Sequence, residues 1–119
     1  MTRARFERLV DEALQELPEV FRRRLQNVLI VIQDVPDPQI ARELGHDLLG
    51  LYQGTPLTER SVFHEPLEPD IIYIYQKNIE ALSDSEEEIR RQVRITVMHE
   101  IGHYFGLDEA QLEALEDDT

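Results

Sequence analysis

His99, Glu100 and His103 stand in the run His99-Glu100-Ile101-Gly102-His103, an H-E-x-x-H pattern. On a helix, positions four apart share a face and lie about 6 Å from one another. Two imidazoles so placed can converge on one tetrahedral ion at about 2.0–2.1 Å each. Glu100 projects beside the pair and can hold a water without itself being a ligand. Zinc in such a site lowers the pKa of that water towards neutrality and polarises a carbonyl under attack. A glutamate there takes the proton and hands it to a leaving amine. The chain contains no cysteine. That excludes disulfides, thiolate-held zinc, iron–sulfur clusters and thiolate catalysis in one step. Any metal must be held by His, Asp or Glu.

A third ligand has to come from another turn of chain. The sequence continues Tyr104-Phe105-Gly106-Leu107-Asp108-Glu109. Gly106 lets the chain reverse where a helix ends, which carries a carboxylate back towards the ion. Glu109 is the first candidate and Asp108 the alternative, so the pattern reads H-E-x-x-H-x-x-G-x-x-E. The competing reading of Glu109 is an acid that opens a last helix, where the helix dipole favours it.

The motif needs a helix beneath it. Ser83-Asp84-Ser85 supplies a start, and Ser85 with Glu88 fits a capping box. Glu86–Arg90 and Glu87–Arg91 are spaced for i,i+4 pairs, acid before base. Ile89, Val93 and Val97 give the helix a core-facing side. Nothing breaks it before Gly106, which predicts a helix of about 20 residues, or roughly 30 Å.

Other elements must pack on that side. Phe6, Leu9, Val10, Ala13, Leu14 and Leu17 recur at helical spacing, so residues 3–17 read as an amphipathic helix ended by Pro18. Residues 19–26 read as a short second helical stretch. Val28–Val35 is β-branched and apolar on both faces, the pattern of a strand covered on two sides. Asp34-Val35-Pro36-Asp37-Pro38 closes it with turn chemistry. Residues 38–44 fit a short helix terminated by Gly45. Leu48–Gln53 is a second strand, stopped by Gly54-Thr55-Pro56, and a loop runs on to about Pro69. Asp70–Gln76 is a third, with Ile71, Tyr73 and Tyr75 on one face and Ile72 and Ile74 on the other. Asp108–Glu116 adds a last short helix. No repeat or linker interrupts the chain, so residues 1–119 read as a single domain.

With this order of elements, two segments resemble the small bacterial zincin-like metallopeptidases called minimal zincins, near the metzincin branch. One is Leu48-Leu49-Gly50-Leu51-Tyr52-Gln53-Gly54-Thr55-Pro56-Leu57-Thr58-Glu59-Arg60-Ser61. The other is Arg94-Ile95-Thr96-Val97-Met98-His99-Glu100-Ile101-Gly102-His103-Tyr104-Phe105-Gly106. The resemblance implies an α+β fold: a small mixed β-sheet of three to four strands on an N-terminal helix and a long active-site helix, with a short C-terminal helix. It implies that His99, His103 and an acid at Glu109 hold zinc, with Glu100 as general base. It also implies a peptide substrate laid along an edge strand, for which Leu48–Gln53 is the candidate. Two features depart from the metzincins. Most of them use a third histidine where this chain has Glu109, and the methionines here are Met1 and Met98, neither placed for a Met-turn after the motif.

Two other classes compete with a peptidase. One is a non-catalytic zinc-binding module that works by interaction. The other is a metal-dependent ribonuclease of the His-x₃-His-x₅-His kind, from which Glu100, the acid in the last ligand region and the acidity of the chain point away. Twelve Lys and Arg against twenty-five Asp and Glu leave a net charge of −13. Wrapping nucleic acid or binding an anionic membrane needs a basic patch, and Arg22-Arg23-Arg24 is too small to be one. The longest apolar run, Val28–Ile32, is far short of the roughly 20 residues of a membrane span. Met1–Arg8 shows no signal peptide, so a soluble cytoplasmic protein is expected. Residues 1–24 hold six Arg and five acids, whereas residues 25–119 hold six basic and twenty acidic residues. Six of those acids lie in Asp108–Asp118. A negative field there should attract a cation and favour neutral or basic peptides.

Of the remaining polar residues, His46 and His64 read as solvent-facing. Tyr52, Tyr73 and Tyr75 read as packed in or beside the sheet, and Arg90, Arg91 and Arg94 as the solvated face of the long helix.

Overall fold

The computed structural model describes residues 1–25, 27–56 and 69–117. Six helices and three strands are formed among them: α1 (Arg3–Gln15), α2 (Glu19–Arg22), β1 (Val28–Gln33), α3 (Pro38–Leu44), β2 (Gly50–Gln53), β3 (Asp70–Tyr75), α4 (Gln76–Ala81), α5 (Glu86–Tyr104) and α6 (Glu109–Asp117). The fold is mixed α+β, as the sequence predicts. His64 and the last five residues of the Leu48–Ser61 segment, from Leu57 on, lie outside the described residues.

The sheet has the order β1-β3-β2. β1 runs parallel to β3, with Ile30 opposite Ile72, and β2 runs antiparallel to it, with Tyr52 opposite Ile72. Ile72 and Ile74 lie on the inner face and are fully buried. They meet Phe6, Leu9 and Val10 of α1 and Val93, Val97 and Ile101 of α5 in one core. These are the residues whose helical and alternating spacing marks them in the sequence. Thr2 caps α1 by accepting the Arg5 amide, and Ser85 caps α5 by accepting the Glu88 amide at 3.1 Å.

Three expectations are corrected. β1 is not covered on two sides. It forms one edge of the sheet, and Leu29 on its outer face is 50 % exposed. Its apolar character therefore overstates its burial: hydrophobic alternation on one face is all an edge strand needs.

The third strand ends at Tyr75, and Gln76 begins α4, a helix the sequence reading leaves out. α4 has six residues and no side-chain cap, and Ile79 is its apolar anchor in the core. Gln76 also accepts from Arg3 Nε at 2.6 Å and donates to the Met1 carbonyl at 3.0 Å, tying α4 to the start of α1.

The charges of α5 reach across to α1 rather than along their own helix. Arg90 lies 3.7 Å from Glu12, Arg94 lies 3.6 Å from Glu16, and Arg5 Nε donates to Glu86 at 2.6 Å. The pairs run in the same order along both helices, so α1 and α5 lie side by side in the same direction and their facing rims meet across the contact.

Candidate metal centre

The last turns of α5 carry His99, Glu100 and His103. The two imidazoles share a face, with ring centroids 4.8 Å apart and planes at 81°. Each is about a quarter exposed, at the mouth of a cleft.

The helix then ends in a way that follows from Gly106. Gly106 adopts φ +86°, a conformation that costs little without a Cβ. Its amide donates to the His103 carbonyl at 2.9 Å, and the Leu107 amide donates to the Gly102 carbonyl at 3.0 Å. This pair of bonds satisfies the last carbonyls of a helix that closes on a left-handed residue. The chain turns back at once, and α6 begins at Glu109.

That turn delivers Glu109 to the histidines. Its Oε1 lies 3.4 Å from His99 Nε2 and 3.0 Å from His103 Nε2. Three donors on a tetrahedral ion at 2.0–2.1 Å stand about 3.4 Å apart. The two separations to Glu109 lie near that figure, and all three donor atoms lie within 4.8 Å of one another. The donor set of two imidazoles and one carboxylate suits a borderline cation such as zinc.

Asp108, the alternative, is engaged elsewhere. Its Oδ1 accepts the Gln111 amide at 2.8 Å, and Gln111 Oε1 accepts the Asp108 amide at 2.8 Å. This is a reciprocal cap on α6. Glu109 meanwhile fulfils both readings of it at once: it opens the helix, and it faces the imidazoles.

Glu100 differs from its neighbours in burial. It is 7 % exposed. Burial pushes its carboxyl above the ordinary value, and Glu109 pushes the same way. His99, His103 and a hydrogen bond from the Tyr52 amide pull it down.

That amide is available because of the register of β2. The Tyr75 amide donates to the Leu49 carbonyl at 2.9 Å, so the alternation of an antiparallel pair turns the N–H and C=O of Gly50 and Tyr52 away from β3. α5 comes close to this strand because position 50 has no side chain. A Cβ there would stand 2.8 Å from Thr96 Cγ2, 3.0 Å from the Tyr73 carbonyl and 3.1 Å from Glu100 Cγ. Tyr52 is itself fixed, its hydroxyl donating to Asp70 at 2.8 Å and its ring meeting Tyr104 edge-on.

Triad and strand open on a cleft of about 520 Å³. Leu44, Leu48, Pro56 and Leu107 form an apolar wall, and His99, Glu100, His103 and Glu109 the polar one. Asn78 of α4 holds the loop before β2 by donating to the His46 and Leu48 carbonyls, each at 2.8 Å. The exposed side chain of His46 does not line the cleft. Tyr73 and Tyr75 stack in parallel beside the sheet, and burial lifts the Tyr75 phenol from 10.0 to about 12.

Of the site residues named from sequence, the structure brings His99, Glu100, His103 and Glu109 together and sets Asp108 aside. The sequence reading missed Gly50 and the Tyr52 amide. The Asp108–Gln111 cap was open to it, because Asp-x-x-Gln is a legible capping pattern.

A histidine pair and a buried acid on a helix beside a strand of a small mixed sheet, with a carboxylate returned by the next helix, is the arrangement of a zincin-like protein. The family model described as Zincin-like metallopeptidase matches residues 25–119, and the chain belongs to that family. Among solved structures it is similar to a conserved hypothetical protein from Thermo thermophilus. The identity is 26 % and the TM-score 0.58, over 99 % of this chain and 100 % of that one. A comparison with curated proteins finds no significant match. Among the described residues, no helix is long and apolar enough to cross a membrane.

Proposed function

We propose that this protein is a zinc-dependent peptidase. His99, His103 and Glu109 would hold the ion, and Glu100 would act as general base. The observation that carries this reading is the convergence of three donors within 4.8 Å of one another beside a buried carboxylate. Zinc, when bound, supplies the Lewis acidity that activates water and polarises the scissile carbonyl.

The chain's own residues supply the rest. Glu100, held by the Tyr52 amide, accepts the proton of the attacking water and passes it to the leaving amine. β2 is an edge strand among the described residues, and an extended peptide can add to it as a further strand through the outward backbone groups of Gly50. The apolar wall and the acids of the cleft, Asp108 and Glu109, favour neutral or basic peptides over acidic ones. The same acidity disfavours nucleic acid.

A peptide-library digest with zinc-loaded protein tests this reading. Cleavage at defined bonds, kept by wild type and lost in Glu100→Gln while zinc is retained, is the expected result. Full activity in Glu100→Gln refutes the mechanism. No cleavage of any peptide by the zinc-loaded protein favours a non-catalytic binding module.

A further inference from the structure

Glu109 is the outlying member of the triad. Its side chain is 66 % exposed, and it belongs to α6 rather than to α5. A mobile α6 would take the third donor with it, so the docking of α6 decides whether three donors are present or two.

Leu112 provides that docking. It lies three residues after Glu109, and residues three apart share one helical face. It is 2 % exposed. Its amide closes the first turn of α6 on the Asp108 carbonyl at 3.0 Å. Its side chain rests where position 102 lacks one: a Cβ on Gly102 would stand 2.1 Å from Leu112 Cδ2 and 3.4 Å from its Cγ, with Leu107 Cδ1 at 3.7 Å. Gly102 is inside the histidine motif itself, adjacent to His103. One face of α6 thus presents an apolar knob to the notch at Gly102 and a carboxylate to the imidazoles beside it.

We propose that Leu112, seated on Gly102, is the positioning residue that holds Glu109 at His99 and His103, so that metal capture and docking of α6 are one linked equilibrium. This rests on reading the triad as a metal site. A metal bound only by the docked form stabilises that form, and a loss of docking weakens the metal by the same factor.

The test measures zinc affinity by competition with a chromophoric chelator, on the full chain. Leu112→Ala keeps all three ligands and removes the knob. Its affinity should fall about ten-fold or more, the scale on which residues supporting a ligand act. Gly102→Ala should act in the same direction, because its methyl takes the space of Leu112. The double variant should recover part of the loss, since the methyl then enters vacated space. Cobalt-loaded Leu112→Ala should show an altered visible spectrum, and hydrogen exchange should show α6 unprotected in the metal-free variant. Leu9→Ala, which weakens the core away from the site, should leave zinc affinity unchanged; a purely global effect would lower it as well, and would overturn the proposal. Wild-type affinity in both Leu112→Ala and Gly102→Ala also overturns it and leaves the metal site standing. A wild-type chain that binds no zinc overturns the metal reading, and this proposal with it.

Discussion

The two halves of α5 are built on different principles. Its first half packs Ile89 and Val93 into the core that α1 and the sheet share, with ion pairs to Glu12 and Glu16 along the rim. Its second half is organised by missing side chains and backbone groups: Gly50 opposite Thr96 and Glu100, Gly102 opposite Leu112, Gly106 at the turn, and the Tyr52 amide on Glu100. The first half needs volume of the right kind, which many apolar residues supply. The second needs close approach at named positions, which few residues permit. Stability should therefore reside mainly in one half and function in the other.

The sharpest way to separate them is Glu100→Gln. Loss of a general base costs about 10²- to 10⁴-fold in rate. The expected result is a drop on that scale in kcat for any cleaved peptide, with zinc content and melting temperature near wild type. The opposite profile is expected for Leu9→Ala in the core. It should lose about 3 kcal/mol of stability, read by denaturant unfolding, and keep its zinc affinity.

Gly50→Ala tests the close approach directly. The new methyl meets the Tyr73 carbonyl, a backbone group that cannot move aside, as well as Thr96 and Glu100. Overpacking of this kind costs about 1–3 kcal/mol, and activity should fall further than stability because Glu100 and β2 are pushed apart.

Alkaline pH probes the sheet side of the comparison. The Tyr75 phenol is raised from 10.0 to about 12. The folded chain therefore holds that proton more tightly than the unfolded one. Stability should be flat below pH 10 and fall as pH rises from 10 towards 12. Tyr75→Phe should remove that fall, as read by thermal unfolding across the range. The smallest effect belongs to the exposed rim. Arg90→Ala breaks a solvated pair with Glu12 and should change stability by about 0.5 kcal/mol or less.

The same contrast explains what the sequence made legible. Helical spacing in Phe6, Leu9 and Val10 and alternation in Ile72 and Ile74 are signals of burial, and the core contains these residues. The histidine spacing and Gly106 likewise announce the site, and Glu109 arrives where the turn directs it. The sequence overstates the burial of β1 because an apolar run carries no information about which strand lies at an edge. α4 leaves little trace in the sequence because six residues without a cap carry little periodicity. The close approaches of Gly50 and Gly102 were invisible for a further reason. A glycine in a sequence does not say what will occupy the space it leaves.

Metal analysis of the purified wild type beside His99→Ala and Glu109→Ala tests the centre of this account most directly. One zinc per chain in the wild type, none in His99→Ala and a weakened site in Glu109→Ala are expected. A wild type without zinc, or a Glu109→Ala protein that holds it as tightly as the wild type, would contradict the assignment.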